Sequence, residues 1–225
     1  MALYLIGEEH FDIDKYARTA KLLTVLKTTL VGIENTEQSF MQELAAYTRP
    51  NALQDGISRI KTFHPSSNDA TAKQLLENFI GQPLLFGSYL PGRLVFCDSP
   101  EVDSSQLVND VNDYVQKKDT ALEDLLRLSP DQLREVIAKE YRPASYPVAD
   151  LPELVCFYSE RDAFAEQILR SNLALLQPRQ LLAYFCGLDH LYGDYHPNLF
   201  DRLDDLNPVR MKLSEADNLP HIQRV

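Results

Sequence analysis

Glycine and histidine are scarce in this chain of 225 residues, numbering 8 and 5, yet the spacing Gly-x-x-His occurs three times. Independent placement of those residues predicts about 0.2 occurrences, so the recurrence is a signal. Two of the three, Gly7 to His10 and Gly187 to His190, follow apolar, strand-like runs at opposite ends of the chain. Glycine at the end of a strand lets the backbone turn tightly and approach a ligand closely. An imidazole delivered by that turn can ligate a metal or accept a proton near neutral pH. Carboxylates accompany both: Glu8 and Glu9 lie in the first repeat and Asp189 in the second, while Glu34 and Asp98 close two further apolar runs. Two histidines with two or three carboxylates supply either a divalent-metal site or a general acid/base set. If one mononuclear site uses both histidines, their rings lie within about 12 Å of each other, given metal–nitrogen bonds of about 2.0–2.1 Å.

Other residues of the same types read as structural when taken singly. The third repeat ends at His196, just before Pro197, which reads as a helix-capping or surface position. His64 and His221 fall in loop-like segments. Arg161, within Ser159-Glu160-Arg161-Asp162, reads by itself as a helix-surface charge in local ion pairs. Neither a His-Glu-x-x-His helix nor a Gly-x-Ser-x-Gly elbow is present, which disfavours the zincin and serine-hydrolase routes.

The elements that must position these groups alternate between strand and helix. Ala2 to Ile6 reads as a buried strand ending at Gly7. A helix to about Lys27, capped by Asp12 or Asp14, carries Tyr16, Ala20, Leu23 and Leu26 at helical spacing. Thr29 to Ile33 is a second strand, and Asn35 with Gln38 forms a capping-box pattern for the next helix. This βαβ opening implies a parallel strand pair. Residues 50–80 read as helical with a break near Pro65 to Asn68, and Arg93 to Cys97 as a third strand after the Pro91-Gly92 turn. Asp103 with Gln106, and Ser129-Pro130 with Gln132, announce two helices through about Tyr141. Pro143 to Pro152 reads as a loop. A long helix from about Pro152 to Leu176 follows, with Asp150 and Glu153 in capping register, and then a fourth strand over Gln180 to Cys186. A short helix from Pro197 to about Leu206 precedes a last strand over Val209 to Leu213. The expected fold is α/β: one domain with a mixed, largely parallel central sheet flanked by helices, and a mostly helical lobe within about residues 50–150. In such sheets ligands collect beyond the carboxyl ends of the parallel strands, where these polar residues stand.

Composition narrows the function classes. Lys plus Arg is 22 against 33 Asp plus Glu, a net charge of −11. Nucleic acids and anionic membranes both demand a basic footprint, so neither is expected as a partner. No run reaches the about 18 apolar residues of a membrane span. Cys97, Cys156 and Cys186 are odd in number and lie in apolar segments, as buried reduced thiols do. The expected location is the cytoplasm, or another cell into which the protein is delivered without a signal peptide.

The order of the motifs points further. Leu5-Ile-Gly-Glu-Glu-His10, a helix, and then Val31-Gly-Ile-Glu34 resemble the opening of the TraB/Tiki superfamily, which includes erythromycin-esterase-like and ChaN-like domains. Glu160-Arg161-Asp162-Ala163-Phe164-Ala165 is similar to the Glu-Arg-Asn/Asp helix start before the last core strand of those families. Phe185-Cys-Gly-Leu-Asp-His-Leu-Tyr-Gly193 is similar to their second Gly-x-x-His segment, with Asp189 where small residues are usual. The resemblance spans roughly residues 2–213 and rests on about 25 of them.

It implies water attack on a carbonyl, since Tiki-type members are metal-dependent proteases and erythromycin esterases open a macrolide lactone. Carried over, His10 is a metal ligand or the general base. Glu8 and Glu34 supply a further ligand or orient His10, and His190 completes the site. Arg161 stabilises the oxyanion or holds a substrate carboxylate. Asp98 and Asp189 are secondary candidates. The expectation is a hydrolase using Mn, Co or Zn at Glu8, His10 and His190, acting on a peptide or small-molecule ester. A ChaN-like module that binds haem or a small molecule, possible as a homodimer, is the alternative. An interaction protein with a host partner, gripping it through residues 103–141, is a third.

Overall fold

A computed structural model describes residues 1–99, 122–141, 152–194 and 196–219. Among these residues five strands form one sheet: β1 (Ala2–Glu8), β2 (Leu30–Ile33), β3 (Leu94–Phe96), β4 (Leu181–Gly187) and β5 (Val209–Lys212). The order across it is β3-β2-β4-β1-β5, and every pairing is parallel. The fold is α/β with a largely parallel sheet flanked by helices, as expected, and among the described residues no antiparallel pair accompanies the parallel ones. β1 and β2, consecutive in sequence, are not neighbours, because β4 lies between them. Their connecting helix is long enough to cross one intervening strand, and local patterning carries no information about a strand that arrives about 150 residues later.

Both faces of the sheet are covered, so the strands β1 to β4 carry apolar residues on both sides, whereas the edge strand β5 alternates Met211 with Arg210 and Lys212. One face packs Ile6, Val31, Ile33, Ala183 and Phe185 against α1 (Lys15–Leu26), α2 (Glu37–Tyr47), α4 (Asp69–Gly87) and α5 (Pro130–Glu140), with α3 (Ala52–Phe63) outside them. The other packs Leu3, Leu5, Leu182, Tyr184 and Cys186 against α6 (Pro152–Leu175), α7 (Asp189–Tyr192) and α8 (Leu199–Arg202). The helical middle of the chain shares the first core, since Leu75, Phe86, Leu133 and Ile137 pack in one cluster with Ile6 and Val31. No helix among the described residues is long and apolar enough to cross a membrane.

Several local expectations shift by a residue or two. Helix α1 buries Lys15, Thr19, Leu22 and Leu23, while Tyr16 is exposed. One residue is 100° on a helix, enough to turn Lys15 inward. The side chain of Asp12 accepts from the Asp14 amide, and Asn78 of α4 accepts from that of Tyr16, so α1 is capped partly from another helix. Thr36, not Asn35, caps α2 by accepting from the Ser39 amide at 3.1 Å. The break before α4 falls as expected, with Asn68 accepting from the Ala70 and Thr71 amides. Ser129 and Gln132 form a complete capping box on α5. The last short helix stops at Arg202, and a 3-10 turn follows over Asp204–Leu206. The Asp103 helix, the Pro143 to Pro152 loop apart from Pro152 itself, and the Asp150 cap lie outside the described residues.

Candidate functional site

Register brings the motifs together. Glu8 on β1 pairs with Gly187 on β4, and Ile33 on β2 pairs with Phe185, so three carboxyl ends lie side by side. Glu34 therefore emerges next to Gly187, whose amide donates to Glu34 Oε2 at 2.7 Å. A Cβ placed on Gly187 would lie 3.6 Å from Glu34 Oε2, 3.7 Å from His10 Nε2 and 3.8 Å from His190 Cδ2. His10, Glu34 and His190 thus converge on one point, well inside the 12 Å limit set by a shared site. Gly187 leaves that point open.

Behind it lies a buried chain of charges. Arg161 donates from Nη2 to Glu34 Oε1 at 2.6 Å, and from Nε and Nη2 to Asp98 at 2.9 and 2.8 Å. The ring of Phe157, one turn earlier on α6, lies under the guanidinium. His190 Nε2 is 3.1 Å from Glu34 Oε1, and its Nδ1 is 2.5 Å from Asp162 Oδ1. A neutral imidazole carries one N–H and would turn a lone pair toward one of these carboxylates, whereas an imidazolium satisfies both. Burial opposes that charge on His190, but the Glu34 charge and the bonds to Asp162 and Glu34 outweigh it and raise the pKa to about 10. For Glu34, burial raises the pKa, yet the charge and hydrogen bond of His190, Arg161 and the Gly187 amide hold it well below the usual range. Glu34 is accordingly an ionised, fully coordinated carboxylate and a poor base.

Two members of this chain escaped the sequence reading. Asp162 is fully buried and shares its second oxygen with His196 Nε2 at 2.8 Å. Its position falls in step with Ala165, Leu169 and Leu173, the buried stripe of α6, and that register was the available signal. His196 is also buried, so it neither caps a helix nor lies on the surface. Asn198 does the capping, accepting from the Asp201 amide. Tyr158 packs edge-on against His190, with ring centroids 5.0 Å apart. Asp189 accepts from the Tyr158 hydroxyl at 3.4 Å, while Asp98 serves as the second anchor of Arg161.

On the other side of the convergence point a cavity of about 240 Å³ opens between the strand ends, α2 and α4. His10, Glu8, Glu34 and Lys15 are among its polar lining, and Phe40, Phe79, Phe86 and Phe185 among its apolar lining. His10 is exposed and has no hydrogen-bond or ion-pair partner among the described residues. Glu8 is bound by Lys15 at 2.6 Å and by Gln82 at 2.8 Å. Arg161 does not line the cavity; it donates to Glu34 and Asp98.

This donor set does not fit a metal as arranged. Of Glu8, His10 and His190, only His10 has ligating atoms free of a partner among the described residues: the Glu8 oxygens are held by Lys15 and Gln82, and both nitrogens of His190 serve carboxylates. No group of three His, Cys, Asp or Glu side chains among the described residues is placed to hold an ion. Three protein ligands are the usual minimum for a catalytic zinc. The cavity is also smaller than the roughly 300–1,000 Å³ of drug-sized ligand pockets, so it does not enclose a haem. No family model, curated protein or solved structure matches the chain.

Proposed function

We propose that this chain is a hydrolase that cleaves a peptide or small ester bond by attack of water on the carbonyl, with His10 as the general base. The meeting of His10, Glu34 and His190 beside Gly187, at the edge of a cavity, carries this reading. It agrees with the TraB/Tiki resemblance, which rests on the same residues.

Division of labour follows from the electrostatics. Glu34 is held ionised by His190 and Arg161, so it does not compete for the water proton. His10, with its nitrogens open to the cavity, takes that proton as the water oxygen bonds to the carbonyl carbon, and returns it to the leaving alkoxide or amine as the ester or peptide bond breaks. Lys15, ion-paired with Glu8, is the one cation among the residues that line the cavity, while Arg161 acts as a positioning residue for Glu34. Asp162 and His196 in turn fix the His190 ring. No step here runs through a metal.

Cavity size favours a side-chain-sized substrate over a macrolide. The test is hydrolysis of p-nitrophenyl esters and short peptides, in chelator, by the wild type and by His10→Ala. Loss of about 10²–10⁴-fold in kcat/KM is expected of the variant. A folded variant with full activity overturns the assignment. The four phenylalanines of the cavity also support a second reading, a small-molecule binding module. That module keeps its ligand in His10→Ala and hydrolyses nothing.

A further inference from the structure

The cavity has an asymmetry of charge that the hydrolytic groups do not use. Four carboxylates line it: Glu8, Asp12, Glu34 and Glu43. Three have a cation in contact, Glu8 with Lys15, Asp12 with Arg18 and Glu34 with Arg161. Glu43 has none within 4 Å among the described residues. Its side chain bonds to Asn35, and Lys15, already committed to Glu8, reaches it only through space. Half-burial raises the Glu43 pKa, so forming its charge in this wall is costly. Phe40, Glu43 and Tyr47 present one face of α2 to the cavity at helical spacing, with Phe79 and Phe86 among the residues of α4 that line it.

A carboxylate lacking a cation, in an aromatic-walled cavity of a chain with net charge −11, is complementary to a positively charged ligand. We infer that the cavity binds a primary ammonium group on a small apolar or aromatic body, with Glu43 as its counter-ion and the phenyl rings around its hydrocarbon. This deepens the hydrolase reading, on which its catalytic meaning rests: the substrate carries an amine near the scissile carbonyl. A free amine and the N-terminus of a peptide share this chemistry.

Binding is measured by calorimetry with phenethylamine, its neutral counterpart 2-phenylethanol and its anionic counterpart 3-phenylpropionate. The amine is expected to bind about tenfold or more tightly than the alcohol, with no binding of the acid. Glu43→Gln is expected to erase the preference while its melting temperature stays at the wild-type value. An alcohol that binds as well as the amine, or an amine preference that survives in Glu43→Gln, overturns the inference. The dipeptide amide Phe-Gly-NH2, compared with its N-acetylated form, separates the two sources. Glu43-dependent binding of the free dipeptide points to peptide N-termini, and binding of phenethylamine alone points to a free amine. Calorimetry reads amine binding without turnover, since phenethylamine and its two counterparts carry no scissile ester or peptide bond. Failure of hydrolysis therefore leaves this result standing, and hydrolysis without amine preference refutes this inference alone.

Discussion

Raising the pH from about 6.5 to about 10 is expected to strip stability from this fold through His190, because the native state holds that proton far more tightly than the unfolded chain. His190 is 3% exposed, and burial alone would lower its pKa. The Glu34 charge and the hydrogen bonds of Asp162 and Glu34 instead carry it from 6.5 to about 10. At about 1.4 kcal/mol per unit this amounts to about 5 kcal/mol, a large share of the about 5–15 kcal/mol that holds a typical protein together. The contribution is whole below pH 6.5, drains away between 6.5 and 10, and is gone above. Glu34 adds the opposite arm. Its depressed pKa lends stability above the ordinary carboxylate value, lost as pH falls through the folded one, and the shared His190–Glu34 attraction is counted once. The assay is urea unfolding of the wild type and His190→Gln across this range, in which titrations common to both cancel. The gap between them should close as pH rises. A gap that stays constant, or an NMR titration of the His190 ring with a midpoint near 6.5, refutes the buried imidazolium.

Three further outcomes follow from the same geometry. Asp162→Asn leaves the His190 charge with one carboxylate fewer, and breaking a buried pair costs about 3–5 kcal/mol, read as a fall in melting temperature of about 2–4 °C per kcal/mol. Gly187→Ala puts a methyl 3.6–3.8 Å from Glu34, His10 and His190, in ordinary contact, so it should melt within about 0.5 kcal/mol of wild type yet lose hydrolytic kcat/KM, because the methyl fills the point where the three groups meet. Cys156 is exposed, with its thiol pKa raised by its bond to Glu160, whereas Cys97 and Cys186 are buried and burial raises theirs, so a thiol reagent should modify Cys156 first and the other two only on unfolding.

What the sequence made legible was chiefly local. The strand ends at Gly7, Glu34, Asp98 and Gly187, and the cap at Ser129, follow from apolar runs and short-range hydrogen bonding, and all lie close to where the pattern puts them. Strand order did not follow, since the place of β4 between β1 and β2 is decided by pairing across most of the chain. Side-chain partners were the harder part. Arg161 and Asp162 look alike as helix-surface charges, but one faces Glu34 and the other lies on the buried stripe of α6. Lys15 was hidden by a one-residue error in the inward face of α1, and His196 by the turn signal of Pro197. Each miss concerns a polar group whose burial is compensated by a distant partner, which periodicity cannot reveal.

The assignment of His10 as the base is tested most directly by adding imidazole to His10→Ala and following ester hydrolysis in chelator. A His10 ring that acts by taking a proton predicts a variant with little activity that free imidazole restores in a saturable manner, while Glu34→Gln is not restored. A variant that hydrolyses as the wild type does, or one that stays inactive at every imidazole concentration although folded and able to bind phenethylamine, contradicts it.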